Sequence, residues 1–217
     1  NTVKYGIENE EKIKVELVYE FDYGYRYEPT KCINFLNNRR STTAKKMEAG
    51  NVNEKELMQI LSCGIRVPDH GALNPWKIKV IIGEKLKQVD EQVILDEYKR
   101  LNPLAGEESL NIESTRLQRA SVVFAVLSTP VDHPKIPKWE MGLSSGAVCM
   151  NLLSCAQSLG YAAQWLTEWY AYNQKMLNYL GGREGIDRIS GFIYVGHKKE
   201  EPNERRRPDP KKIITYI

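Results

Sequence analysis

Residues 141–167 carry no charged side chain. An uncharged run of this length reads either as a membrane span, with Gly142-x-x-x-Gly146 as a dimerisation face, or as a helix at the centre of a water-soluble fold. Ser144, Ser145, Asn151, Ser154, Gln157 and Ser158 interrupt it, and Leu159-Gly160 is a helix-stop signal. The sequence therefore predicts a buried central helix over residues 138–159 and no membrane span. The rest of the chain agrees with a globular class. Of 217 residues 41% are hydrophobic and 27% charged with both signs interspersed, enough for one ordinary domain or a domain with an appendage. A net charge of +3 is too small to argue for a nucleic-acid partner. The four cysteines form no CxxC pair, and the three histidines lie far apart, so no metal centre is expected. The first residues carry Lys4 and several acids without an apolar stretch. A reduced, cytoplasmic protein without a secretory signal is the expectation.

Residues 1–30 differ in pattern from the rest of the chain. Ile13, Val15, Leu17, Tyr19, Phe21, Tyr23, Tyr25 and Tyr27 occupy every odd position, with mostly charged residues between them. This period of two predicts a half-buried strand, broken into a hairpin near Gly24, that acts as an arm covering a sheet edge. Residues 31–217 form the second part, a single domain. It opens with a short helix over 31–38. A capping box at Asn53-x-x-Glu56 then starts a helix reaching Gly64. Strands are expected over 77–82, 121–127, 162–166 and 189–195, with a terminal strand over 213–217. Helices are expected over 84–98, from 109 to 118, over 138–159 and over 173–180. The spacing is irregular, with neither an even βαβ rhythm nor a GxGxxG turn, which favours α+β over a doubly wound sheet.

Two segments concentrate chemistry. Arg39-Arg40-Ser41 sets two guanidiniums and a hydroxyl side by side, a grip suited to phosphate, although Arg-Arg pairs are also common on solvated surfaces. Residues 64–76, Gly-Ile-Arg-Val-Pro-Asp-His-Gly-Ala-Leu-Asn-Pro-Trp, pack a cation, an acid, an imidazole and an indole into a Gly- and Pro-rich loop. The bland alternative is a turn in which Arg66 pairs with Asp69 and Trp76 belongs to the core. We assign Trp76 to the core and Arg66 and His70 to a site.

With these motifs the chain resembles the FMN-dependent nitroreductases, and in particular the short bacterial NAD(P)H nitroreductase subgroup. Arg39-Arg40-Ser41 after a first helix is a hallmark of that family. The Arg-x-Pro-Asp-His-x-x-x-x-Pro-Trp run, Ile136-Pro137-Lys138-Trp139-Glu140, Gly160-Tyr161-Ala162-Ala163-Gln164-Trp165 and the ending Pro208-Asp209-Pro210 with Thr215-Tyr216 match the subgroup in order and spacing. The resemblance covers residues 31–217. It implies an α+β fold with a mixed central sheet flanked by helices, in an intertwined homodimer whose two FMN sites lie at the interface.

It further implies that Arg39, Arg40 and Ser41 hold the FMN phosphate and ribityl chain. Arg66 and His70 would contact flavin from the partner subunit, and the stretch Trp165, Leu166 and Thr167 would approach the isoalloxazine with its backbone and hydroxyl. One of Arg205, Arg206 or Arg207, with Arg207 the candidate, would add a phosphate contact. The implied activity is hydride transfer from NADH or NADPH, through flavin N5, to a nitroaromatic, quinone or similar small-molecule acceptor by a ping-pong mechanism. No side chain need serve as nucleophile or general base, which fits the absence of any triad. The alternatives are another flavin reaction of the superfamily, such as dehalogenation or dehydrogenation, and a non-catalytic FMN-binding protein. An RNA binder using the Tyr row and the Arg tail is a third, disfavoured by the small net charge. Two features depart from the family pattern: the N-terminal segment, and Lys45 and Lys46, which come later than the basic residue that often follows the Arg-Arg-Ser triplet.

Overall fold

In the computed structural model, residues 29–217 are described. The strand or hairpin expected over residues 13–27 lies outside them. The chain divides into two units, Asn1–Asn38 and Arg39–Ile217. The described part of the first is helix α1 (Pro29–Asn38), in which Asn38 Nδ2 donates to the Asn34 carbonyl at 2.8 Å.

The second unit begins with an irregular stretch and the two-residue strand β1 (Met47–Glu48). Helix α2 (Glu54–Gly64) comes next, and then strand β2 (Trp76–Ile82). After it stand α3 (Glu84–Val89), a π-helical segment (Asp90–Leu95) and α4 (Asp96–Leu101). Helix α5 (Glu107–Glu113) and strand β3 (Val122–Ser128) lead to the long helix α6 (Lys138–Ser158). The chain closes through β4 (Ala162–Leu166), α7 (Gln174–Tyr179), β5 (Arg188–Lys198) and α8 (Pro210–Ile213).

Local chemistry explains most of these boundaries. Asn53 caps α2, its Oδ1 accepting from the N–H groups of Lys55 and Glu56 at 2.8 and 3.4 Å. The reciprocal half of the expected capping box is not made. The Glu56 carboxylate instead accepts from the Tyr161 hydroxyl, whose oxygen accepts the Asn53 N–H at 3.4 Å. A phenol thus bridges the two halves of the box. The helix expected over 84–98 runs on to Leu101 and contains the π-helical segment. Asp90, wholly buried, opens that segment. Its carboxylate accepts from the N–H groups of Leu117 and Gln118 and from Gln118 Nε2.

The sheet is antiparallel in every described pairing: β2 with β3, β3 with β5, and on the other side of β5 both β4 and β1. It is not the mixed sheet expected. Strands β3 and β4 point the same way because α6 carries the chain back between them. However, β5 runs oppositely and lies between the two, so no parallel neighbours arise. Residues 122–127 of β3 are almost inaccessible, because both faces of the sheet are covered. Val123, Ala125, Leu127, Phe192 and Tyr194 face one core with Leu86, Val89, Ile94 and Met176. Val122, Phe124, Val126, Ile193 and Val195 face the other, with Ile60 of α2 and Val148, Cys149, Leu152 and Leu153 of α6.

Two further expectations change. Helix α6, expected to be buried, is open to solvent on part of its surface in the single chain: Trp139 is 72% and Leu143 55% exposed. Residues 213–217 form no terminal strand. Asp209 accepts from the Lys211 N–H and Pro210 stands at the first helical position, so α8 forms there and takes in Ile213.

Glu97, at the start of α4, accepts from Arg100 at 2.7 and 2.8 Å and from Asn173 Nδ2 at 3.0 Å. The hydrogen bond from Arg100, followed by that from Asn173, lowers its carboxyl from 4.5 to about 2. A carboxyl depressed by folding stabilises the fold above its unfolded value and loses that contribution as pH falls toward the folded one. The melting temperature is therefore expected to fall between pH 4.5 and about 2 more steeply in the native chain than in Glu97→Gln. Thermal scans across that window check this, and superimposable curves would refute it.

Candidate functional site

The Arg39–Thr42 segment is fastened to the C-terminal end of α6 and the start of β4. Arg39 Nε donates to Gln157 Oε1 at 3.0 Å. Gln157 Nε2 donates to the Arg40 carbonyl at 2.8 Å and the Ala163 carbonyl at 3.3 Å. The Thr42 N–H reaches the same Ala163 oxygen at 3.1 Å, and the Ala44 N–H reaches Gln164 Oε1 at 2.6 Å. One glutamine thereby fixes two successive residues of the Arg-Arg-Ser triplet.

The C-terminal stretch folds back onto this point. Arg40 Nη2 donates to the Asn203 carbonyl at 2.8 Å. Arg40 Nε lies 3.5 Å, and Arg207 Nη2 3.3 Å, from the same Glu204 carboxylate oxygen. Burial, then the charges of Arg40 and Arg207, lower the pKa of Arg39. Two guanidiniums therefore share one exposed carboxylate, with the Arg39 guanidinium close enough to feel both their charges. Arg40 Nε and the Thr42 hydroxyl are buried without a hydrogen-bond partner. Ser41, half-buried, stands between them in sequence. Orphaned buried polar atoms cost about 1–3 kcal/mol each unless something else satisfies them.

Strand β4 carries the second group. Trp165 lies on the α6 side of the sheet, 37% exposed, with Nε1 donating to the Ser190 carbonyl at 3.2 Å. It rests against Gly191, where any Cβ would overlap the indole Nε1. Glycine is required there by the close approach of the ring. Leu166 turns to the opposite face and packs against the α3 and α7 core. Thr167 comes next, and then Glu168 at φ 55°, ψ 173°, a conformation that costs about 1–3 kcal/mol outside glycine. Its carboxylate is 3.4 Å from Arg116.

The third group, the loop after α2, is tied along α6. Asn151 Nδ2 donates to the carbonyls of Cys63 and Arg66 at 3.2 and 2.8 Å. Ser144 Oγ donates to the Pro68 carbonyl at 2.8 Å and accepts from Trp76 Nε1 at 3.1 Å. His70 Nδ1 is 2.7 Å from Glu140 Oε2. Left-handed backbone clusters here, at Gly71, Ala72 and Asn74. Asp69 accepts the Asn74 N–H at 2.7 Å rather than pairing with Arg66, and Trp76 packs against the α2–α6 core. The Arg66–Asp69 pair of the bland alternative is therefore not made, and Trp76 lies in the core as both readings of the loop expected.

The structure thus brings Arg39, Arg40 and Arg207 together and sets Trp165 and Leu166 on one strand with Thr167 just beyond its end. It does not bring His70 to the arginines. Glu140 and Gln157 lie near opposite ends of α6, about 25 Å apart at about 1.5 Å per residue. Clefts of about 430 Å³ beside Lys45 and Lys199, and of about 270 Å³ beside Tyr172 and Arg188, are lined by none of these residues. Sequence reasoning missed Gln157, Glu204 and Ser190. Gln157 offered a signal, as a long polar side chain within the uncharged helix, but was read only as an interruption.

Comparison with known proteins decides what this arrangement belongs to. Residues 36–197 match the description "Nitroreductase family". The chain belongs to the nitroreductase family. The Escherichia coli K12 protein named "Putative NAD(P)H nitroreductase YdjA" is 28% identical over 192 residues, covering 86% of this chain and 99% of that protein. The nitroreductase-like fold is shared with a nitroreductase-like family protein from Bacillus cereus, at TM-score 0.72 and 21% identity over 89% of this chain and 99% of that one. It is shared also with a nitroreductase with bound FMN from Bacteroides fragilis, at TM-score 0.60 and 18% identity over 85% and 97%. Among the described residues of this nitroreductase-family chain, no helix is long and apolar enough to cross a membrane, and no cluster of His, Cys, Asp or Glu could hold a metal.

Proposed function

We propose that this chain is an FMN-dependent NAD(P)H oxidoreductase acting as a homodimer in the cytoplasm. The observation that carries the reading is the cluster of Arg39, Arg40 and Arg207, in which the exposed Glu204 pairs with Arg40 and Arg207 while Arg40 Nε and Thr42 Oγ1 are buried without a hydrogen-bond partner. Such an arrangement asks for a further anion, and the FMN phosphate is the anion that relatives of this fold supply. The chemistry the cofactor supplies when bound is two-electron carriage from NADH or NADPH to a nitroaromatic, quinone or similar acceptor, donor and acceptor taking turns in one pocket.

The chain's own residues hold and orient. Arg39, Arg40, Ser41 and Arg207 grip the phosphate and ribityl end, with Gln157 setting the direction of Arg39. The backbone of Trp165, Leu166 and Thr167 and the Thr167 hydroxyl approach the ring, and the strained Glu168 sets the turn that presents them. His70, held at the Glu140 end of α6 away from the arginines, comes from a second copy, and Arg66 is assigned with it by the family resemblance. There Arg66 would turn its guanidinium, and His70 its imidazole, toward the ring. The uncharged outer side of α6, with Trp139 and Leu143 exposed, is the surface that a second copy covers.

The test is spectroscopic. Purified protein incubated with FMN and desalted should keep oxidised-flavin absorbance, lose it on anaerobic addition of NADH or NADPH, and sediment as a dimer. Failure to retain FMN would overturn the reading. Retained colour that neither nicotinamide bleaches would reduce it to FMN binding without turnover.

A further inference from the structure

Two cysteines outside the proposed flavin contacts face one another across the α2–α6 seam. The helices approach closely here: a Cβ at Gly64 would overlap Leu152 Cδ2, and Asn151 Nδ2 donates to the Cys63 carbonyl at 3.2 Å. Cys155, one helical turn beyond Asn151, has its Sγ 3.8 Å from the Gln59 carbonyl, one turn before Cys63. The seam thus sets the two side chains side by side. Cys63 is exposed and Cys155 half-buried, so one sulfur is open to a small reagent and the other is sheltered beside it. That is the arrangement of an attacking and a resolving thiol.

We propose that Cys63 and Cys155 are a reversible dithiol–disulfide pair that clips α2 to α6, with a hydroperoxide as oxidant and a small thiol as reductant. The Cys63 thiolate attacks one peroxide oxygen: the S–O bond forms, the O–O bond breaks, and the departing alkoxide or hydroxide takes up the proton Cys63 released. The Cys155 sulfur then attacks the Cys63 sulfur. The S–S bond forms, the S–O bond breaks, and the hydroxyl leaves with the Cys155 proton as water. Two thiols and one hydroperoxide become one disulfide, one alcohol or water, and one water, the two sulfurs supplying the two electrons. The hydrogen bond from Cys155 supports this order by lowering the Cys63 thiol to about 7, whereas Cys155 is raised. Cys149, wholly buried and pushed up to about 12, is unsuited to either role. Neither step involves flavin.

The full chain treated with hydrogen peroxide at pH 7, alkylated and digested should yield a Cys63–Cys155 cross-linked peptide pair, lost after dithiothreitol. In Cys155→Ser the cross-link should vanish, and Cys63 should be trapped by dimedone as sulfenic acid. Before oxidation, iodoacetamide should label Cys63 at pH 7 about sixfold faster in the native chain than in Cys155→Ala. The thiolate fraction rises about fiftyfold for a pKa near 7 against 9, while intrinsic nucleophilicity falls about eightfold. Peroxide-treated native chain in which both thiols remain open to alkylation, or in which the cross-link joins other cysteines or two chains, would overturn the proposal.

Discussion

A chain carrying Arg39→Ala and Arg40→Ala is expected to emerge colourless but folded. Each charge-assisted bond from guanidinium to phosphate contributes about 1.5–3 kcal/mol. Losing two weakens FMN binding by about 3–6 kcal/mol, or about 10²–10⁴ in Kd. The fold loses less. The contacts removed are the bonds from Arg39 to Gln157 and from Arg40 to Asn203, each near 1 kcal/mol by the usual net value, and the Arg40–Glu204 ion pair, worth at most about 1 kcal/mol at a surface. Against this, removal relieves the crowding of like charges that lowers the pKa of Arg39. Titrating flavin fluorescence in native and variant protein gives the affinities, and thermal unfolding without FMN gives the stabilities. Unchanged flavin affinity would remove the pair from the site. Lost affinity with a collapsed melting temperature would make these arginines structural.

The second large effect lies in the core. Leu152 is inaccessible on α6 and lies against Gly64 of α2. Leu152→Ala removes buried methyl groups and leaves a cavity that two packed helices cannot readily close, at a cost of about 2–5 kcal/mol. For a chain of this size that corresponds to a fall of roughly 5–20 °C in melting temperature. Leu152→Met, which conserves volume, should cost less than about 1.5 kcal/mol. Denaturant titration of both variants measures the difference. Equal losses would mean that the seam does not depend on the shape of this side chain. Because the arginine cluster is held from Gln157 rather than Leu152, the folded fraction of Leu152→Ala should keep its flavin affinity.

Much of the fold was legible because its signals are short-range. The apolar run at 121–127 predicted β3 to within a residue, and Asn53 marked the start of α2. Ala162–Leu166 was read with its observed bounds. Errors arose where a distant residue intervened. Tyr161 displaced the second half of the capping box from 105 positions away. Strand β5, from the end of the chain, took the position between β3 and β4 and made the sheet antiparallel. The strand expected at 213–217 failed for a local reason instead: Asp209 and Pro210, just upstream, supplied a helix start that the apolar run had obscured.

The site divides along the same line. The residue types and their clustering in Arg39-Arg40-Ser41 and in the loop after α2 were visible from the outset, and so was the helix without charge. Sequence by itself determined these because caps, periodicity and composition act among neighbours. Only the tertiary structure decided that Gln157 holds Arg39 from 118 residues away and that Asn203 receives Arg40 from 163. It alone set His70 at the far end of α6. Such partners meet through the packing of helices and sheet, and no local preference of either residue encodes the encounter.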